Sequence, residues 1–106
     1  MTLCIPRVFP NIVEQRIRRV FAELDLGIIE RVDIVEKIGK NGEKFNRVFI
    51  HFRTWNESDN AKAAKELLLK GKEIKVIYDD PWFWKISMYR ERFTHEKKNK
   101  KATMVL

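Results

Sequence analysis

The stretch RVFIHF, residues 47–52, decides the predicted fold. Successive side chains of a β-strand point to opposite faces of a sheet. The two alternating sets are the apolar Val48, Ile50 and Phe52, expected in a core, and Arg47, Phe49 and His51, expected on the other face. A cation, an aromatic ring and an imidazole in a row suit stacking against flat groups and pairing with anions. This is the chemistry by which proteins hold single-stranded nucleic acid.

Length and composition limit the class of protein. The chain has 106 residues, of which 44% are hydrophobic, so we expect one domain with a packed core. No apolar run is long enough to span a bilayer, and the start, MTLCIPRVF, lacks the pattern of a signal peptide. The single cysteine, Cys4, cannot form an internal disulfide, which favours an intracellular, reducing environment.

The charge favours a polyanionic partner. The formal net charge is +7, and the segment Arg90–Lys101 supplies more than half of it, with six lysines and arginines against two glutamates. A basic tail adds salt-sensitive affinity for phosphates. A basic surface that only keeps the protein in solution is the alternative, because clustering of charge matters more than its total.

The first half of the chain predicts a strand and a helix. The strand is short, near Leu3–Ile5, because Pro6 limits pairing. Asn11 is expected to cap the helix, with Glu14 at the capping-box position, and Gly27 closes the helical region.

The second half predicts an antiparallel strand pair, a helix and a last strand. The strands are residues 28–36 and 45–53, joined by a polar loop with the turn signal Asn41-Gly42. A helix over residues 57–70 is capped by Asn56 or Ser58, and residues 73–78 alternate as a final strand.

This order is the ferredoxin-like βαββαβ plan, an α+β fold with a four-stranded antiparallel sheet and two helices on one face. We expect this domain over residues 1–78, followed by an aromatic and basic extension over residues 79–106. The sheet face away from the helices stays open, and alternation places on it Cys4, Arg31, Asp33, Val35, Arg47, Phe49, His51, Lys75 and Ile77.

The plan and several local strings resemble the RNA recognition motif (RRM) family over about residues 3–78. FNRVFIHF, residues 45–52, aligns with the longer RNP motif of that family, and the run from Leu3 lies where the shorter motif belongs. The resemblance implies base stacking at Cys4, Arg47 and Phe49, but only Phe49 keeps an aromatic ring, and Asn46 replaces an expected glycine. The guanidinium of Arg47 can partly replace a ring, whereas Cys4 cannot.

The strings CIPRVFPNI, FNRVFIHF and DDPWFWKIS also resemble short uncharacterised RRM-like proteins of large double-stranded DNA viruses. A viral origin implies the cytoplasm or nucleus of the host cell. It also adds a further option, a DNA-associated or virion-associated role.

Trp82, Phe83 and Trp84 form a second conspicuous feature. Three adjacent aromatic residues are rarely left bare, because large exposed apolar patches mark contacts. They are expected to fold over the sheet edge or its open face, or else to hold a base or a partner's side chain.

An enzyme is not expected. Cys4, His51 and Asp33 combine a thiol, an imidazole and a carboxylate, but nothing indicates a substrate pocket or an oxyanion site. Cys4, His51 and His95 lack the spacing of metal ligands, and the scattered glycines form no phosphate loop. We expect no cofactor and no small-molecule substrate.

The sequence therefore favours a nucleic-acid-binding module, with single-stranded RNA as ligand and DNA as an alternative. In this mode of binding, Phe49 is expected to stack on a base with the assistance of Arg47 and His51. Arg31 and Lys75 are expected to neutralise phosphates. The rival interpretation is a protein-interaction or homodimerisation module that uses the same scaffold and the PWFW segment.

Overall fold

The computed structural model describes residues 1–89. Its elements are, in chain order, β1 (Thr2–Val8), α1 (Glu14–Leu24), β2 (Gly27–Ile38), β3 (Lys44–Trp55), α2 (Asp59–Leu69), β4 (Ile74–Asp79) and β5 (Trp82–Met88). The strands form one antiparallel sheet in the order β2-β3-β1-β5-β4. This α+β architecture is compatible with the predicted ferredoxin-like plan, but it has five strands where four were expected.

The additional strand, β5, lies in the segment expected to be an extension. It takes the position beside β1, through the pairs Leu3↔Met88 and Cys4↔Ser87, and leaves β4 at the edge of the sheet. Trp84 and Ile86 are buried at alternating positions of β5, and the burial of this apolar pair stabilises the packing of the strand against the core. The basic tail and His95 lie outside the described residues.

The core lies on one side of the sheet, under both helices. The predicted alternation in β3 is confirmed, because Val48, Ile50 and Phe52 are buried. The other main contributors are Leu3 and Ile5 of β1, Ile17, Val20 and Phe21 of α1, Ala61, Ala64 and Leu68 of α2, Val76 of β4, and Trp84 and Ile86 of β5. Trp55 also ties α2 to the end of β3, since its indole N–H donates to the carbonyl oxygen of Ala61 at 2.8 Å.

The predicted ends of the helices are partly correct. Ser58 caps α2, since its hydroxyl accepts a hydrogen bond from the Ala61 amide, and Gly42 takes a positive φ of 84° in the turn between β2 and β3. The predicted cap at Asn11 is wrong. The α1 helix begins at Glu14 with Val13 at the N-cap position and no side-chain cap, because a tight turn from Phe9 to Ile12 precedes it.

The two tryptophans of the β4–β5 hairpin are expected to contribute very differently to stability. Trp84 is 2% exposed and stacks on Tyr78 with ring centroids 4.4 Å apart, whereas Trp82 is 53% exposed. We expect Trp84→Ala to lower the free energy of unfolding by about 3–5 kcal/mol and Trp82→Ala by less than about 1 kcal/mol. Urea denaturation followed by circular dichroism measures both. Equal losses for the two variants would contradict the placement of Trp84 in the core.

Candidate nucleic-acid interface

The sheet face opposite the helices is defined by cross-strand pairs, whose side chains point to the same side. The pairs that establish this face are Arg31↔His51 and His51↔Thr2, Asp33↔Phe49 and Phe49↔Cys4, Cys4↔Ser87, Val35↔Arg47, Lys75↔Lys85, and Ile77↔Phe83. Ser87 pairs with β1 and Lys85 pairs with β4. Because the two residues are two positions apart on β5, their side chains point to the same side, and the pairs on β1–β3 and on β4–β5 define one face. The six predicted nucleic-acid-binding residues therefore share one surface, which we call the open face: Cys4, Arg31, Arg47, Phe49, His51 and Lys75.

Phe49 lies inside this surface, on the strand next to the central strand β1. Its ring is partly exposed and contacts the ring of Tyr89 edge-on, with centroids 5.0 Å apart and an angle of 70° between the planes. Tyr89 follows β5 and is held at the sheet by its amide, which donates to the Thr2 carbonyl oxygen at 2.9 Å. The open face thus carries a pair of neighbouring aromatic rings where the sequence predicted one.

Arg31, Asp33 and His51 form a polar network beside Phe49. The Arg31 Nε donates to both oxygens of Asp33, at 3.1 and 3.2 Å, and the His51 Nε2 lies 2.9 Å from Asp33 Oδ2. The hydrogen bond from His51, and then the hydrogen bond and charge of Arg31, hold the pKa of the Asp33 carboxyl below its usual value. A ligand phosphate must therefore compete with an ionised carboxylate for Arg31.

Both ring nitrogens of His51 have hydrogen-bond partners. If Nε2 carries the proton that is donated to Asp33, Nδ1 is free to accept a hydrogen bond from the Thr2 hydroxyl, 3.1 Å away. The Arg31 guanidinium nitrogen 3.2 Å from Nε2 is then a close neighbour and not a hydrogen-bond partner, since both atoms are donors. His51 is consequently oriented by two hydrogen bonds and presents one edge of a fixed ring.

Cys4 and Arg47 are partly buried neighbours of Phe49, Cys4 opposite it on β1 and Arg47 two residues before it on β3. Burial raises the pKa of the Cys4 thiol, and the nearby charge of Arg47 offsets this only in part. The thiol therefore stays protonated at neutral pH, which does not suit a nucleophile. Within residues 1–89, Arg47 forms no ion pair, and its buried Nε has no hydrogen-bond partner.

Aromatic rings with a cation above them flank the central pair. The Lys75 Nζ lies 4.1 Å from the centroid of the Phe83 ring, and the Arg7 guanidinium carbon lies 4.0 Å from that of Phe45. The sequence analysis missed Phe45 and Tyr89. Alternation gives the signal for both, because Phe45 precedes Arg47 by two residues and Tyr89 follows Ser87 by two.

The three aromatic residues of the PWFW segment, residues 81–84, occupy different surroundings in the structure. Trp84 packs in the core and does not cover the open face, whereas Phe83 lies on that face and is 41% exposed. Trp82 packs edge-on against Phe9, with ring centroids 5.4 Å apart. The segment up to Met88 runs within the sheet, so it leaves the open face accessible, apart from the contact of Tyr89 with Phe49.

In the part of the chain that the structure describes, no helix is both long and apolar enough to cross a bilayer. The same residues hold no group of three or more histidine, cysteine or acidic side chains that could bind a metal ion. Comparisons of the chain with protein-family models, with curated proteins and with solved structures find no match. The resemblance to the RRM family therefore stays a prediction.

The polar network predicts the titration of Asp33. We expect its carboxyl pKa, followed by NMR, to lie below the usual value of an aspartate. His51→Leu should raise that pKa more than Arg31→Gln, because the hydrogen bond from His51 is the larger cause. Since the folded-state pKa is the lower one, the stabilisation by this network is complete above the unfolded-state pKa and is lost as the pH falls through the folded-state pKa. A larger rise in Arg31→Gln would contradict this order of causes.

Proposed function

We propose that this chain is a non-enzymatic module that binds single-stranded RNA on its open face. The observation that carries the proposal is the position of Phe49, a partly exposed ring inside a sheet face that also carries Arg31 of β2, Arg47 of β3 and Lys75 of β4. A base stacks on the ring, and its phosphates reach cations on both sides. The finer fold, an RRM-like variant of the ferredoxin-like plan, belongs to the same proposal.

Unpaired bases suit this surface better than a duplex does. The rings of Phe49, Phe45 and Phe83 project from a sheet, and a base reaches such a ring only when its faces are free of stacked neighbours. Phe45 and Phe49 are four residues apart on β3, about 13 Å at the usual rise of a strand. The spacing leaves room for two bases, one on the Phe49 ring and one on the Arg7 guanidinium that lies over the Phe45 ring.

The affinity for RNA is expected to depend on the cationic side chains that have no carboxylate partner, rather than on the total charge. Among the described residues, Arg47 and Lys75 form no ion pair, whereas Arg31 is shared with Asp33. Sequence selectivity should be weak, since stacking accepts any base and Cys4 provides no ring at its position.

Protein binding is the second candidate function. The observation in its favour is the apolar surface near the β4 edge, where Ile77 is 58% exposed beside Phe83. An edge strand can also pair with a partner's strand. Size-exclusion chromatography of the chain, with and without Ile77→Lys, tests for a homodimer. A dimer that this change disrupts, together with the absence of RNA binding, would favour this function over the first.

Removal of the Phe49 ring should weaken RNA binding. In fluorescence anisotropy with a labelled single-stranded RNA, we expect Phe49→Ala to raise the Kd by about 5- to 150-fold, the equivalent of about 1–3 kcal/mol for one stacked base. Leu67→Ala, which trims a partly exposed side chain of α2 on the helical side, is the matched control.

An unchanged Kd in a folded Phe49→Ala variant would refute the proposal, and so would the absence of saturable binding. A single-stranded DNA of the same sequence and a duplex serve as competitors. Competition by the duplex at equal concentration would indicate the DNA-associated role instead.

The dependence of the Kd on salt should identify the cations that contact phosphate. Each lost contact to a single strand lowers the slope of log K against log salt by about 0.7. We expect this reduction for Lys75→Gln and Arg47→Gln, and a smaller one for Arg31→Gln, whose charge is already balanced by Asp33. Arg18→Gln, paired with Glu14 on α1, is the control. The assignment fails if Lys75→Gln leaves the slope as unchanged as Arg18→Gln does.

A further inference from the structure

A cavity opens where β1 and β5 separate. Within the described residues, the two strands pair only at Leu3↔Met88 and Cys4↔Ser87. Beyond these pairs β1 contains Pro6, which lacks an amide donor, and the register of β1 against β3 shifts between Ile5 and Val8. The space between the diverging strands is a cavity of about 350 Å³, a size within the range of small-molecule sites.

Aromatic rings line this cavity. They are those of Phe9, Phe45, Tyr78, Trp82, Phe83 and Trp84. Phe9 and Trp82 contact each other edge-on at the rim, and each is about half exposed. The wall also includes Trp84, which is 2% exposed. Flat apolar walls suit a flat ring better than an aliphatic side chain.

The charges at the cavity favour an anion. Arg7 and Lys44 line it together with one acidic residue, Glu43. The Arg7 guanidinium lies over the Phe45 ring and 3.4 Å from a Glu43 carboxylate oxygen, so it contacts both an aromatic ring and a carboxylate of the cavity wall. Lys44 forms no ion pair within the described part of the chain, and its charge is available to a phosphate.

We propose that this cavity binds one nucleotide, with its base among the aromatic rings and its phosphate at Arg7 and Lys44. The inference rests on the proposed function and deepens it, because Phe83 belongs both to the cavity wall and to the open face, where Lys75 covers it. A strand that crosses the open face therefore reaches the cavity with the nucleotide at its end.

Free mononucleotides test the cavity without the rest of the strand. The chain is titrated with AMP, CMP, GMP and UMP, and binding is followed through the indole N–H signals of Trp82 and Trp84 in ¹H–¹⁵N NMR spectra. We expect at least one of the four to bind saturably with a Kd below about 1 mM. The matching nucleoside, which lacks phosphate, should bind at least about fivefold more weakly, and ribose 5-phosphate, which lacks a base, should leave both signals unmoved.

Variants distinguish binding in the cavity from non-specific attraction by the positive charge of the protein. Arg7→Gln and Trp82→Ala should each weaken mononucleotide binding about tenfold, whereas Arg18→Gln, on the outer side of α1, should leave it unchanged.

The inference is overturned if no mononucleotide binds saturably up to about 10 mM, or if ribose 5-phosphate binds as tightly as the nucleotide. If single-stranded RNA still binds in a Phe49-dependent manner after such a result, the cavity inference alone has failed. Mononucleotide binding without RNA binding would overturn the proposed function and leave the cavity inference standing.

Discussion

The register between β1 and β3 is the constraint on which the rest of the structure depends. The pairs Leu3↔Ile50 and Ile5↔Val48 place four fully buried side chains under the helices. The same alternation turns Cys4 and Phe49, one position along each strand, to the opposite side. A slip of one residue would exchange the two sets, burying a cation and an imidazole and exposing the core. Stability of the core and the composition of the open face are therefore set by the same pairing.

The open face combines fixed and free charges. Arg31 is paired with Asp33 on this face, and Arg7 is paired with Glu43 at the neighbouring cavity, so a ligand phosphate competes with a carboxylate for each guanidinium. Arg47 and Lys75 lack such a partner among the described residues. The net charge of +7 is thus an incomplete guide to phosphate affinity, because the arrangement of acids on the surface decides how much positive charge a ligand meets.

Much of the fold followed from local patterns. The alternation at Val48, Ile50 and Phe52 predicted the buried side of β3, and Ser58 predicted the start of α2, because both signals depend on neighbouring residues only. The two-residue connection Asp80-Pro81 and the alternation of Phe83, Lys85 and Ser87 with Trp84, Ile86 and Met88 were also in the sequence. The fifth strand was not predicted, because a four-stranded sheet is complete without residues 82–88 and local alternation does not show which strand they pair with. The contact of Tyr89 with Phe49 and the cavity between β1 and β5 depend on the resulting tertiary arrangement, which local periodicity does not report.

The length of β2 has a consequence for the protein at high concentration. This strand runs for twelve residues at the border of the sheet, and within residues 1–89 no strand pairs with its outer side. Such a border is a template for edge-to-edge aggregation of copies, and charged side chains are one means by which proteins oppose it. Glu30, Arg31, Asp33, Glu36 and Lys37 supply charges of both signs along β2. Because salt screens exposed charges, concentrated samples at high ionic strength should lose part of this protection against self-association.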